Sequence, residues 1–307
     1  MSENTPENDT VDGTGPDGAE AGTVRTFEPV YHRYVPHKTG LPHLPTYFRE
    51  LWRRREFAFE TSKANMRGAN TNTFFGQAWL VINPLLLSLV YYLLVTVISR
   101  ADQTRGWEYF AHLTGGLFVF FFFQGSVNNA AGSVVNAGGL VLNTSFPRLL
   151  LPLAAVRTGL LRFLPTLPVY FVFHILAGNP WNLATFFVAP VFLVLLAVFA
   201  AGLAALFAAL QVYFRDMTSF LPYIMRIWLY SSPVLWTVEM IDGHRTAEAL
   251  APFNPLFSLI GGYNMALQRG QVPDLHIWLL AAAWAAGAWV AGSWFFMSRE
   301  RDFAVRI

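Results

Sequence analysis

The groups that could do chemistry in this 307-residue chain are aromatic rings and arginines, because the usual covalent catalysts are missing. The only lysines, Lys38 and Lys63, follow His37 and Ser62, so no phosphate-binding loop of the Gly-x-x-x-x-Gly-Lys type can form. No His-Glu-x-x-His, Gly-x-Ser-x-Gly or Asp-x-Asp pattern occurs, and the absence of cysteine excludes thiolate catalysis, disulfides and Cys-ligated metal. His32, His37 and His43 have no ligand spacing, so no metal site is expected. The long apolar stretches hold no Asp or Glu, which removes a buried proton relay, and His112 and His174 read as helix–helix hydrogen-bonding residues. No catalytic residue is expected.

What remains is a set of rings, 16% of the chain. Ring faces stack on the C–H faces of sugars and their polar tips reach hydroxyls. A ladder of such weak contacts suits a long polymer that slides. The candidates for a substrate channel are Tyr91, Tyr92, Phe118, Phe120, Phe121, Phe122, Tyr223 and Trp228, with Arg226 among them. The same rings also suit interfacial belts and lipid-facing bulk. Arg226 either snorkels to the membrane surface or lines a polar conduit where it meets a lipid phosphate.

The elements that carry these residues are apolar and long. Between Arg162 and Arg215 lie 52 residues with no Asp, Glu, Lys or Arg, about 78 Å as one helix at ~1.5 Å per residue. A hydrocarbon core is roughly 30 Å thick, so the stretch must double back, and Gly178-Asn179-Pro180-Trp181-Asn182 offers the turn. Composition agrees, with 54% hydrophobic and 13% charged residues and a mean hydropathy of +0.39. A net charge of +2 gives no reason to expect nucleic acid.

In chain order, residues 1–43 read as an acidic, irregular tail and 44–72 as a basic, aromatic amphipathic helix lying in the headgroup layer. Residues 73–307 then hold six expected spans, at about 78–99, 109–127, 153–177, 183–212, 220–238 and 275–297. Pro165 and Pro168 should kink the third. The 128–152 stretch reads as a loop with a short helix, and 239–274 as a segment that dips into the interface. In this topology fourteen Lys and Arg flank the side of both termini against four opposite, which places both termini in the cytoplasm.

Several collinear motifs then carry a resemblance. They are Arg67-Gly68 with Phe75-Gly76-Gln77-Ala78-Trp79, Asn143-Thr144-Ser145-Phe146-Pro147-Arg148, Phe214-Arg215-Asp216-Met217, Ser231-Ser232-Pro233-Val234 and Asn254-Pro255-Leu256. From about residue 45 to 307 the chain resembles ABC-2 type permeases that export polysaccharides. The resemblance implies an all-α polytopic membrane protein, with six transmembrane helices, an N-terminal interface helix and external re-entrant helices between spans five and six. It implies a homodimer in the bacterial inner membrane, served by two copies of a separate ATPase subunit that binds the ATP and Mg, so this chain needs no cofactor. Arg54, Arg55, Glu60, Asn143, Phe146, Pro147 and Arg148 would be the contacts that receive the ATPase stroke. The family moves lipid-linked O-antigen, teichoic acid or galactan, and the alanine-rich last span and acidic extension look like the actinobacterial, galactan-exporting branch. Two other readings stand beside it. An ABC-2 exporter of a drug or small lipid would want a narrow lateral pocket, and a lipid-sugar transferase would need interfacial carboxylates in a catalytic arrangement that Glu50, Glu56, Glu60, Asp216, Glu300 and Asp302 do not make.

Overall fold

The computed structural model describes residues 41–68, 73–99, 106–237 and 249–307, which are helices and turns with no strand among them. Helices α1 (Leu44–Arg53) and α2 (Arg55–Gly68) precede the long α3 (Trp79–Ser99) and α4 (Trp107–Ala131). Short α5 (Ser133–Asn136) and α6 (Gly138–Asn143) lead into α7 (Leu150–Phe163) and α8 (Thr166–Leu176). Then come α9 (Ala189–Tyr213), α10 (Met217–Ser231), α11 (Pro255–Gln268), α12 (Leu275–Arg299) and the terminal turn α13 (Phe303–Arg306). The expected tail up to residue 40 and parts of the 100–108 and 239–274 connections lie outside the described residues.

Helix α4 has apolar side chains on every face, and such a helix belongs in an interior. Its most apolar window is 83% buried, whereas that of the stretch containing α3 is 6% buried. So α4 is the central pillar, packed by α7, α9 and α11, while α3 presents nearly its whole length outward. Four helical stretches are long and apolar enough to cross a membrane, and α7 with α8 makes a fifth if the bent pair is one span. That pair bends by 42° at its break beside Pro165, as its prolines predict.

The fifth expected span is shorter than its sequence limits. Helix α10 has 15 residues, about 22 Å at ~1.5 Å each, and stops at Ser231. Pro233 explains the stop, since proline lacks the donor a helix needs and disfavours helical backbone before it. The motifs on either side of this break then meet: Asn254 Nδ2 donates to Ser231 O (2.8 Å) and Ser232 Oγ (3.2 Å), and its Oδ1 caps α11 through Leu256 N–H at 3.1 Å. The helix that begins there is buried against the core, and Asn264 Nδ2 reaches Pro233 O at 3.1 Å.

At the turn after α8, Gly178 adopts φ +69, the left-handed conformation that lets α8 turn back into α9. Asn182 of that turn donates to Gly270 O at 2.7 Å, tying it to the connection before α12. The returning chain opens with a π-turn at Ala184–Val188, where Pro190 at the start of α9 cannot supply an amide donor.

Helices α9 and α12 cross where small residues allow backbone contact. A Cβ built on Gly202 would collide with the Ala288 carbonyl, and one on Gly292 with the Gly202 carbonyl. Gly287, on the same helix, faces open space. Gly202→Val should therefore destabilise the fold by about 1–3 kcal/mol or more through overpacking, while Gly287→Ala leaves it unchanged, as read by thermal melting of the purified protein in detergent.

Candidate functional site

One end of the bundle gathers the basic helices, the loop after α6 and the C-terminus. Their junction is Glu300, whose side chain is buried although it sits in an Arg-Glu-Arg-Asp run. The Tyr47 hydroxyl of α1 donates to Glu300 Oε2 at 2.6 Å, and the Arg148 backbone N–H donates to Oε1 at 2.6 Å. The Arg148 guanidinium donates to the Glu300 carbonyl and, at 3.5 Å, to Val141 O. Burial first, then the carboxylate, push the Tyr47 phenol far above its ordinary pKa, so it stays a donor. One carboxylate thus joins α1, the loop into α7 and the end of α12. Phe303 and Phe296 pack edge to face beside it, with ring centroids 5.1 Å apart.

Around this knot the coupling candidates divide. Arg54 Nη1 donates to Ser145 O at 2.6 Å, and Phe146 packs on Phe57 with centroids 5.4 Å apart, so α1 and α2 grip the 143–148 loop directly. Pro147 is buried under them. Asn143 instead bonds its own helix at Gly139 O (2.8 Å), Arg55 lies over Trp52 at 4.8 Å, and Glu60 pairs with Lys63 at 4.0 Å on the surface. These three are exposed rather than committed to contacts with the other helices. A cleft of about 420 Å³ opens between α1 and the loop, with Thr46, Glu50, Arg54 and Phe146 on its walls and Glu300 at its base. Helix α2 is pinned a second time by Arg157 of α7, which donates to Phe59 O (3.0 Å) and to Ser62 Oγ, its guanidinium 4.1 Å from the Phe59 ring centroid.

The aromatic candidates separate into four groups. Tyr91 meets Tyr230 edge to face, with centroids 6.5 Å apart, on an outward face that also exposes Tyr223 and Arg226. Tyr92 packs on Phe110 and accepts from Gly106 N–H at 3.1 Å. Phe118, Phe121 and Phe122 border a crevice between α3, α4 and α7. Phe120 is buried outright, and Trp228 packs on Phe123 and Phe199 at 5.6 and 6.3 Å. His112 bonds Gln268 (2.8 Å) and Trp236 O (3.2 Å), as a helix-linking histidine should. Among the described residues no group of three metal-ligating side chains forms.

Comparison with known proteins places this architecture. A profile described as ABC-2 type transporter matches residues 60–267. The chain belongs to the ABC-2 type transporter family. It is therefore a transport permease and not an enzyme. A relative from Myxococcus xanthus, an O-antigen export system permease protein RfbA, is 28% identical over 261 residues, 84% of this chain and 98% of the relative. Two proteins of the same name from Klebsiella pneumoniae are each 28% identical, over 65% and 68% of this chain and 75% and 79% of their own lengths. The match to the ABC-2 profile includes the 143–148 loop and ends before Glu300.

Tyr47, Arg157 and Glu300 are the residues that sequence reasoning missed. Nothing in the Arg299–Asp302 charge run separates a buried carboxylate from a solvated one. Truncating Glu300 strands the Tyr47 hydroxyl and the Arg148 amide, while the Arg148 guanidinium keeps its main-chain acceptor, so Glu300→Ala should cost about 3–5 kcal/mol and Tyr47→Phe about 1–3 kcal/mol. The double variant should fall well short of their sum, because both remove one contact. Additive losses in detergent melting curves would contradict the shared knot.

Proposed function

We propose that this chain is the membrane subunit of an ATP-driven exporter that moves a lipid-linked polysaccharide across the bacterial inner membrane. The observation that carries the reading is the end-to-end match to an O-antigen export permease, which takes in 98% of that relative. The absence of a nucleotide-binding motif supports a separate ATPase subunit, present in two copies, as the source of energy. The outward face of α3 and α10 supports a second copy of this chain as partner. It displays Leu93, Val97, Phe220, Tyr223, Ile227 and Tyr230, a large apolar surface with ring hydroxyls among it.

The chemistry of the cargo sets the task. A phosphate-bearing head group and a hydrated glycan cannot cross roughly 30 Å of hydrocarbon unaided. A conduit between two subunits, bordered by the tyrosines of α3 and α10 and by Arg226, gives hydroxyls and one cation along the way. The basic side of the membrane subunit attracts the anionic head first. The cleft beside Phe146 receives the ATPase, and the Glu300 knot passes its push to α7 and α12 together. The excess of Lys and Arg on that side supports cytoplasmic termini. A galactan as the glycan remains the finer expectation of the family resemblance.

Three measurements test this. In vesicles containing the complete complex, Phe146→Ala and Arg148→Ala should lower glycan transport about tenfold while the chain still inserts and ATP is still hydrolysed; unchanged transport in both refutes the coupling role. The purified chain should show no ATPase activity until its partner is added. Because the chain has no cysteine, a single Ile307→Cys should react with an impermeant maleimide only after cells are opened, and labelling of intact cells refutes the orientation.

A further inference from the structure

Arg162, near the end of α7, is a cation without a counterpart. Its Nε is shielded from solvent and makes no hydrogen bond. Arg157, five residues earlier on the same helix, is by contrast fully engaged with α2. Arg162 as a whole is half-buried, but a guanidinium nitrogen left out of water without an acceptor is costly, so the position suits an anion.

Two cavities meet at this side chain and at Asn129. One, of about 460 Å³, runs between α3, α4 and α7, and its walls are mostly apolar, with Leu80, Leu87, Phe121 and Phe163 beside Asn83 and Thr166. The other, of about 550 Å³, lies between α2, α5 and α7, and its walls carry Thr61, Asn65, Asn136 and Thr158. Ser133 also borders it, with a buried hydroxyl that has no partner. Neither cavity has a carboxylate on its walls. Apolar trough, unpaired guanidinium and hydroxyl- and amide-lined chamber follow one another in that order.

We infer that Arg162 holds the phosphate of a membrane lipid, with the lipid's chain in the trough between α3 and α4 and its polar head in the chamber under α2. The guanidinium fork matches phosphate oxygens in a bidentate way, and the amides and hydroxyls beyond it suit a hydroxylated head group. A diacyl phospholipid and a polyprenyl phosphate share this chemistry. The site stands apart from the aromatic face of α3 and α10, and binding to it is measured without transport.

The test is native mass spectrometry of the full-length detergent-solubilised chain, titrated with phosphatidylglycerol, with diacylglycerol of the same chains and with a polyprenyl monophosphate. At least one phosphate-bearing lipid should bind, and diacylglycerol should bind about tenfold more weakly or not at all. Competition between the two phosphate lipids identifies the preferred source, and either preference supports the site. Arg162→Ala should weaken binding about tenfold, and Arg162→Lys by less, because it keeps the charge but loses the fork. Gly125→Leu supplies a check that leaves the charge in place: a Cβ there meets nothing within 4 Å, so the added side chain projects into the trough and should also expel the lipid. Equal binding of diacylglycerol and phosphatidylglycerol, or undiminished binding in either folded variant, overturns the inference.

Discussion

A single buried carboxylate decides how the basic end of this protein is assembled. Glu300 receives a phenol from the first helix and a backbone amide from the loop before α7, and its own carbonyl takes the guanidinium of Arg148. The surface pairs Arg53–Glu50 and Arg54–Glu50 belong to the exposed class that contributes about 0–1 kcal/mol each. A buried carboxylate that accepts from two elements is a different kind of object, because removing it leaves both donors unpaired away from water. Elements separated by some 250 positions in sequence are thereby tied together. The loop at Phe146 is held by Arg54 and Phe57 on one side and by Glu300 on the other.

The rest of the fold answers to the lipid. Helices with no polar face require either burial or hydrocarbon, and the chain uses both, enclosing α4 while leaving α3 bare. Without a hydrophobic driving force between helices in a bilayer, close contact depends on small residues, and the Gly202–Gly292 crossing supplies it. At the far end from Glu300, Asn182 and Asn254 play the corresponding role with plain amide hydrogen bonds, joining turns to neighbouring helices.

Much of this could be read from the residues. The apolar lengths of α3, α4 and α9, the turn at Gly178 and the bend beside Pro165 follow from local rules that act within a few residues. The Asn254-Pro255 helix start is equally local, an N-cap followed by a residue whose missing amide costs nothing there. What failed to show was tertiary. Phe120, Phe121 and Phe122 are identical in type, yet the first and third are buried in the core while Phe121 is only half-buried at a crevice, and only packing tells them apart. The same holds for Trp228, whose neighbours Phe123 and Phe199 come from other helices. Pro233 ends α10 by a local rule, but that Asn254 and Asn264 bond the broken end is tertiary and could not be read from the segment itself. Glu300 was hidden by its charged neighbours.

These parts compose a permease with a knot at one end of the bundle, a pillar in the middle and a bare, tyrosine-bearing face at the side. What such a permease moves is the central question. The most direct measurement is to deplete the protein in its host and to analyse the membrane for lipid-linked glycans. The account requires one such glycan to accumulate on the cytoplasmic side while its polymer disappears from the cell surface. A depleted cell with an unchanged surface polymer and no lipid-linked glycan retained inside would contradict it.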